Sequence, residues 1–151
     1  MDSFSDIETL DAAFAALGEL LAERSLSFEL CVIGGAAFLI QEPHRVHATS
    51  DVDIAARVVG DQRLATHDAV PPELVLRVAS RRDLIQLKLV AAAQRRGAAG
   101  ERHLDDLVRA GVTADELDDV AQWLHDSATP VDVVPVRLPV VIAALLERID
   151  G

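Results

Sequence analysis

The sequence is poor in aromatic residues and in cysteine. Its 151 residues include no tyrosine, one tryptophan, four phenylalanines and a single cysteine. An aromatic content of 3% does not support a platform of stacked side chains for single-stranded nucleic acid. The lone Cys31 excludes an internal disulfide and a multi-cysteine zinc site. Its position in an apolar run is typical of a small buried residue.

Long apolar runs are also lacking, although apolar residues are abundant. No run of about 18 apolar residues occurs, so no membrane span is expected. The first residues, MDSFSDIETLD, are acidic where a secretory signal would be basic, which favours a cytoplasmic location. Apolar residues make up 50% of the chain, enough to bury the core of one globular domain.

Basic residues are outnumbered, and they are unevenly distributed. The net charge of −11 argues against a general nucleic-acid binder. Residues 77–109 nevertheless contain eight basic and four acidic residues, while the remainder contains six basic and 21 acidic ones. This asymmetry favours a local site for an anionic ligand on an acidic body, and a solvated pair of helices explains it equally well.

Apolar periodicity and helix caps predict helices and strands in alternation, followed by a run of helices. We expect helices over 6–24, directly after Gly34-Gly35, over 81–96, over 101–110, after Thr113 and over 140–149, and strands over 28–33, 51–59 and 74–79. Capping boxes are predicted at Ser5–Glu8, Ser80–Asp83 and Thr113–Glu116, and a loop over 60–73.

This order predicts an α/β (α+β) fold: a small mixed sheet with a C-terminal helical tail. We expect a single domain over 1–151. Its sheet core would span 1–79, and a helical extension over 80–151 would pack on that core.

Two features of the predicted sheet suggest a ligand site. Gly34-Gly35 joins a strand to a helix, where glycine permits close backbone approach and free helix amides favour phosphate oxygens. A tight turn that only packs the helix is the alternative. Asp51 and Asp53 begin a strand, which places both carboxylates on one face, where a hard cation such as Mg²⁺ would offset their repulsion. Val52 and Ile54 would then face the core.

Two further charged residues lie among apolar neighbours on predicted helices. Lys88 has Leu84, Ile85, Ala91 and Ala92 around it, so it must either extend its ammonium to solvent or meet an anion. Asp106 lies between Leu104 and Leu107, where a surface acid or a partner for Arg102 or Arg109 is the simpler interpretation.

The order of these features resembles the nucleotidyltransferase-like superfamily, in particular the group related to the AbiEii toxins of bacterial toxin–antitoxin systems. The resemblance rests on Gly34-Gly35, Thr49-Ser50-Asp51-Val52-Asp53, Leu87-Lys88 and the segment from Arg102 to Leu107. It implies a nucleoside triphosphate (NTP) site formed by Gly34, Gly35, Thr49, Ser50 and Lys88. It also implies that Asp51 and Asp53 bind Mg²⁺ and that Asp106 completes an acidic catalytic site with them and Lys88.

The implied activity is transfer of a nucleoside monophosphate (NMP) to a hydroxyl of a protein, a tRNA or a small molecule, with pyrophosphate leaving. The sequence also departs from the family pattern: His47 stands where members often have arginine, His103 replaces an acid, and the predicted strand 74–79 has no carboxylate. One alternative is therefore a catalytically degenerate fold that acts as a binding or antitoxin-like partner. Another is an interaction module whose basic region, 77–109, docks a partner.

Overall fold

A computed structural model describes residues 6–45, 52–55, 65–67, 74–126 and 136–150. The chain divides into two compact units, Met1–Leu84 and Ile85–Gly151. The described elements are six helices and four strands, which makes the protein mixed α/β. Within these ranges, no helix combines the length and the apolar character that a membrane span requires.

The first unit contains a mixed four-stranded sheet with two helices. Its elements are α1 (Ile7–Glu23), β1 (Phe28–Ile33), α2 (Gly34–Gln41), β2 (Asp53–Ala55), β3 (Ala65–His67) and β4 (Leu74–Val78). The strand order is β2-β1-β4-β3. β1 and β4 pair in parallel at the centre, and β2 and β3 pair antiparallel with them on the outside. α1 contacts β4, and α2 contacts β1 and β2.

The predictions for α1 and β1 are confirmed, with one correction at the helix cap. Asp6, rather than Ser5, is the N-cap of α1, and its Oδ1 accepts a hydrogen bond of 2.8 Å from the backbone N–H of Thr9. A carboxylate at this position also interacts favourably with the positive end of the helix dipole.

The predicted loop over 60–73 is wrong at residues 65–67, which form β3. This strand pairs with β4, with Ala65 opposite Val78 and His67 opposite Leu76. Three residues are too few to show an alternating pattern, and the strand exists only through its pairing with a distant segment. The predicted strand over 51–59 is described only at residues 53–55.

The buried face of the sheet consists of aliphatic side chains from the two central strands, namely Val32, Leu74, Leu76 and Val78. Ile54 lies opposite Val32 and therefore projects to the same face, yet it is 49% exposed. The prediction that Ile54 packs in the core is thus wrong, and Val52 is only partly buried. β2 is the outermost described strand on its side, so Ile54 has strand neighbours on one side only.

The remaining elements are helical. α3 (Arg81–Gln94) begins in the first unit and continues into the second, which also contains α4 (Ala98–Arg109), α5 (Ala114–Asp126) and α6 (Leu138–Asp150). Both predicted capping boxes here are confirmed: Ser80 Oγ accepts from the Asp83 amide at 3.2 Å, and Thr113 Oγ1 accepts from the Glu116 amide at 3.3 Å. α6 contacts α4 and α5.

The turn between α3 and α4 is tight and depends on glycine. α4 begins three residues before its predicted start because Gly97, at φ +61°, is its N-cap. A Cβ placed on Gly100 would lie 2.9 Å from the Arg95 carbonyl oxygen and 3.2 Å from that of Ala92. The first turn of α4 therefore lies directly against backbone carbonyls in the last turn of α3 and just after it.

We expect Gly100→Ala to destabilise the protein by about 1–3 kcal/mol, because the added methyl would push against backbone oxygens. Alanine ordinarily stabilises a helix interior by about 0.5–1 kcal/mol relative to glycine, so a loss of stability on Gly100→Ala indicates the close contact. Urea denaturation measures it. The exposed neighbour Ala99 provides the control, since Ala99→Gly should cost no more than about 1 kcal/mol. An unchanged or increased stability of Gly100→Ala would contradict the close contact.

Candidate functional site

The candidate site lies where β1 ends and α2 begins. β1 ends at Ile33, which pairs with Asp53 on β2, and the next residue, Gly34, starts α2 with φ +68°. A Cβ placed on Gly34 would overlap Oδ2 of Asp53 and lie 3.2 Å from its Cγ. The backbone conformation and the proximity of the Asp53 carboxylate thus both require glycine at position 34.

The amino end of α2 adds a second electrostatic feature. Its N-cap, Ile33, offers no side-chain hydrogen bond to the first amides of the helix. Such amides carry partial positive charge and favour an anion. Asp53, an exposed carboxylate, lies against Gly34 in the first turn. An acid and a set of amide donors therefore stand side by side at the carboxyl end of a central strand, a position where α/β sheets commonly bind ligands.

The structure brings together three of the residues predicted for the NTP and Mg²⁺ site. Gly34 and Asp53 are in contact range, and Gly35 follows in the first turn of α2. Asp51, Thr49 and Ser50 lie outside the described residues. The predicted pairing of Asp51 with Asp53 therefore stays a prediction.

The other two predicted residues form a hydrogen-bonded ion pair in the second unit. Lys88 Nζ on α3 lies 2.6 Å from Asp106 Oδ2 on α4, and the two side chains are only 13% and 28% exposed. A lysine among apolar residues must meet an anion or extend to solvent, and here Asp106 is that anion. Arg109 Nη1 lies 3.7 Å from the other oxygen of Asp106, so this carboxylate faces two cations.

His103, which stands where the resemblance would place an acid, lies one turn before Asp106 on α4. Its Nε2 is 2.8 Å from Nη1 of Arg95, and its Nδ1 is buried without a hydrogen-bond partner in the described part of the chain. Burial lowers the pKa of His103 below its usual value, and the positive charges of Lys88 and Arg95 lower it further. The negative charge of Asp106 raises the pKa of His103.

In the described part of the second unit, three contacts join arginines to partners that lie far away in the chain. Arg137 Nη1 donates to the Arg95 carbonyl oxygen at 3.1 Å, and Arg148 forms ion pairs with Asp105 at 3.0 Å and with Glu101. The partners are 42 to 47 residues apart in the chain, so no local pattern identifies them. The only sequence feature that pointed to these contacts was the high density of charged residues in 77–109.

Among the described residues, no group of three or more histidine, cysteine, aspartate or glutamate side chains is arranged to hold a metal ion. Asp53 is the one described member of the predicted Mg²⁺ pair. β4 has the sequence LVLRV and contains no carboxylate, as the sequence analysis noted for the predicted strand 74–79.

Gly34→Ala should destabilise the first unit by about 1–2 kcal/mol from its left-handed backbone alone, with an added cost from overlap with Asp53. The overlap cost should shrink in an Asp53→Ala background. In a double-mutant cycle, the two substitutions together should therefore cost less than the sum of their separate costs. Thermal and urea unfolding provide the measurement. Gly35→Ala is the matched control, because the φ angle of Gly35 is not positive. If Gly34→Ala and Gly35→Ala lower the free energy of unfolding by the same amount, the proximity of Asp53 to Gly34 is contradicted.

Removing either partner of the Lys88–Asp106 pair should cost about 1–3 kcal/mol, because the other charge is left poorly solvated. Lys88→Met together with Asp106→Leu should cost less than the sum of the single changes. The exposed pair Arg77–Glu29, whose side chains are 37% and 60% exposed, provides a control with coupling below about 1 kcal/mol. Strictly additive effects at Lys88 and Asp106 would show that the two charges do not depend on each other.

Comparisons with protein-family models, with curated proteins and with solved structures each find no match to this chain.

Proposed function

We propose that the protein binds an NTP together with Mg²⁺ at the β1–α2 junction and transfers the NMP moiety to an acceptor hydroxyl, as a member of the nucleotidyltransferase-like superfamily. The single observation that carries this proposal is the position of the Asp53 carboxylate against Gly34, at the amino end of α2. A carboxylate beside helix amides that the side chain of the N-cap residue does not bond suits a metal-bound polyphosphate, because Mg²⁺ takes carboxylate oxygens and phosphate oxygens at the same time.

The donor set at this junction fits a magnesium ion in part. Asp53 is exposed and supplies hard oxygen ligands, and one of its carboxylate oxygens lies where a Cβ on Gly34 would be. Asp51 is proposed as the second ligand, since residues two apart in a strand project to one face. When bound, the metal would polarise the α-phosphate and help to neutralise the charge of the leaving group.

In the proposed reaction, the acceptor oxygen forms a bond to the α-phosphorus of the NTP. The bond from that phosphorus to the oxygen bridging to the β-phosphate breaks, pyrophosphate leaves and the hydroxyl proton is released. The chain's own residues position the phosphates and offset charge: Gly34 and Gly35 through backbone amides, and Asp53 through its ion. Catalysis of this kind relies on positioning and electrostatics rather than on a covalent enzyme intermediate.

The first test of this proposal is calorimetric titration of the protein with each of the four NTPs in the presence of Mg²⁺. We expect Asp53→Asn to weaken binding of the preferred NTP by about tenfold or more, equivalent to about 1.4 kcal/mol. Asp118→Asn, at an exposed acid on α5, is the matched control and should bind like the wild type. The proposal fails if the wild type binds no NTP, or if Asp53→Asn binds as well as the wild type.

A second candidate function is a catalytically degenerate fold that serves as a binding or antitoxin-like partner. Two observations favour it: Lys88 and Asp106 neutralise each other, and β4 carries no acid. Incubation with NTP labelled at the α-phosphate distinguishes the candidates. Label transferred to protein, RNA or a small molecule, and lost in Asp53→Asn, supports the enzyme. NTP binding without any transfer supports the degenerate fold.

A further inference from the structure

Three arginines of the second unit surround the α3–α4 turn and the start of α6. Arg95 follows the last residue of α3, and its guanidinium contacts the ring of His103 on α4. Arg137 precedes α6 and donates to the Arg95 carbonyl oxygen. Arg102, exposed on α4, is close enough to His103 for its charge to lower the pKa of that ring. We call Arg95, Arg102 and Arg137 the arginine cluster.

The nearby acids are engaged by other cations. Arg148 forms ion pairs with Asp105 and Glu101, while Lys88 and Arg109 form ion pairs with Asp106. In the part of the chain that the structure describes, no carboxylate lies within ion-pair distance of any member of the arginine cluster. Among the described residues of a protein with 25 acidic and 14 basic residues, these three arginines thus have no carboxylate as a counter-charge.

His103 holds one of these guanidiniums in place. Because an N–H of Arg95 faces Nε2, that nitrogen acts as the acceptor, and the neutral ring then carries its proton on Nδ1. Burial, Lys88, Arg95 and Arg102 all lower the pKa of His103, and Asp106 raises it, so the ring favours the neutral form that can accept this bond. A guanidinium fixed in this way loses less entropy on binding than a free side chain does.

We propose that the arginine cluster binds a ligand with several closely spaced phosphate groups. A guanidinium offers paired donors that match phosphate oxygens. Three guanidiniums that pair with no carboxylate among the described residues match several anionic groups better than one. The binding is directed to phosphates, since the cluster contains no aromatic side chain on which a base would stack. This site does not rest on the proposed function, because it needs neither Asp53 nor Mg²⁺.

Two sources share this chemistry, a free polyphosphate and the backbone of a nucleic acid strand. The probes are inorganic tripolyphosphate and a 12-nucleotide single-stranded RNA, both without Mg²⁺ at low salt, with a polyglutamate peptide as a non-phosphate polyanion. Binding of tripolyphosphate alone identifies a free polyphosphate as the ligand class, and binding of the RNA identifies a strand. Either result supports the proposal, whereas polyglutamate binding as tightly as both phosphate probes overturns it.

Arg102→Gln is the most informative variant, because Arg102 forms no hydrogen bond or ion pair within the described residues. For the RNA probe, each lost phosphate contact should reduce the slope of log K against log salt by about 0.7. Arg95→Gln and Arg137→Gln should weaken binding in the same way, and their thermal midpoints show whether the fold is retained. Arg24→Gln, at an exposed arginine that ends α1, removes the same charge elsewhere and should change neither affinity nor slope.

The ring of His103 provides an independent readout by NMR titration. A bound polyanion offsets the positive potential of Lys88, Arg95 and Arg102, so the pKa of His103 should rise when the binding probe saturates the protein. Asp53→Asn should leave both this rise and the affinity unchanged, which separates this site from the NTP site. An affinity unaffected by Arg102→Gln, or a His103 pKa that does not move on saturation, overturns the proposal.

Discussion

The close approach of the Asp53 carboxylate to Gly34 is the constraint on which the candidate site depends. It combines a left-handed backbone at the first residue of α2 with an acid on the neighbouring antiparallel strand. Any side chain at position 34 would move that acid or distort the start of the helix. The parallel pairing of β1 with β4 holds β1 at the centre of the sheet, so this junction is built on rigid elements.

Charge in the second unit is arranged in two different ways. Lys88 and Asp106 form a short, partly buried pair, and Arg148 binds two acids of α4. The arginines at the α3–α4 turn instead contact an imidazole and a backbone carbonyl, neither of which carries a negative charge. The first arrangement stabilises helix packing, while the second leaves positive potential on a protein that is acidic as a whole.

Sequence reasoning was reliable where the signal is local. The bounds of β1, the caps at Ser80 and Thr113 and the extent of α1 follow from patterns within a few residues. Long-range pairing was not predictable in this way. β3 was expected to be loop, and Ile54 was expected to be core, because both depend on where a strand lies in the sheet and on what covers it.

The sequence by itself determined the mixed α/β class, the helical second half, the glycines at the end of β1 and the residues able to carry chemistry. Only the tertiary structure decided which of them meet: Asp53 with Gly34, Lys88 with Asp106, and Arg137 with the carbonyl of Arg95. The reason is physical. Helix caps and periodicity arise from interactions within one or two turns, whereas contacts between segments 18 to 42 residues apart require the backbone to fold first.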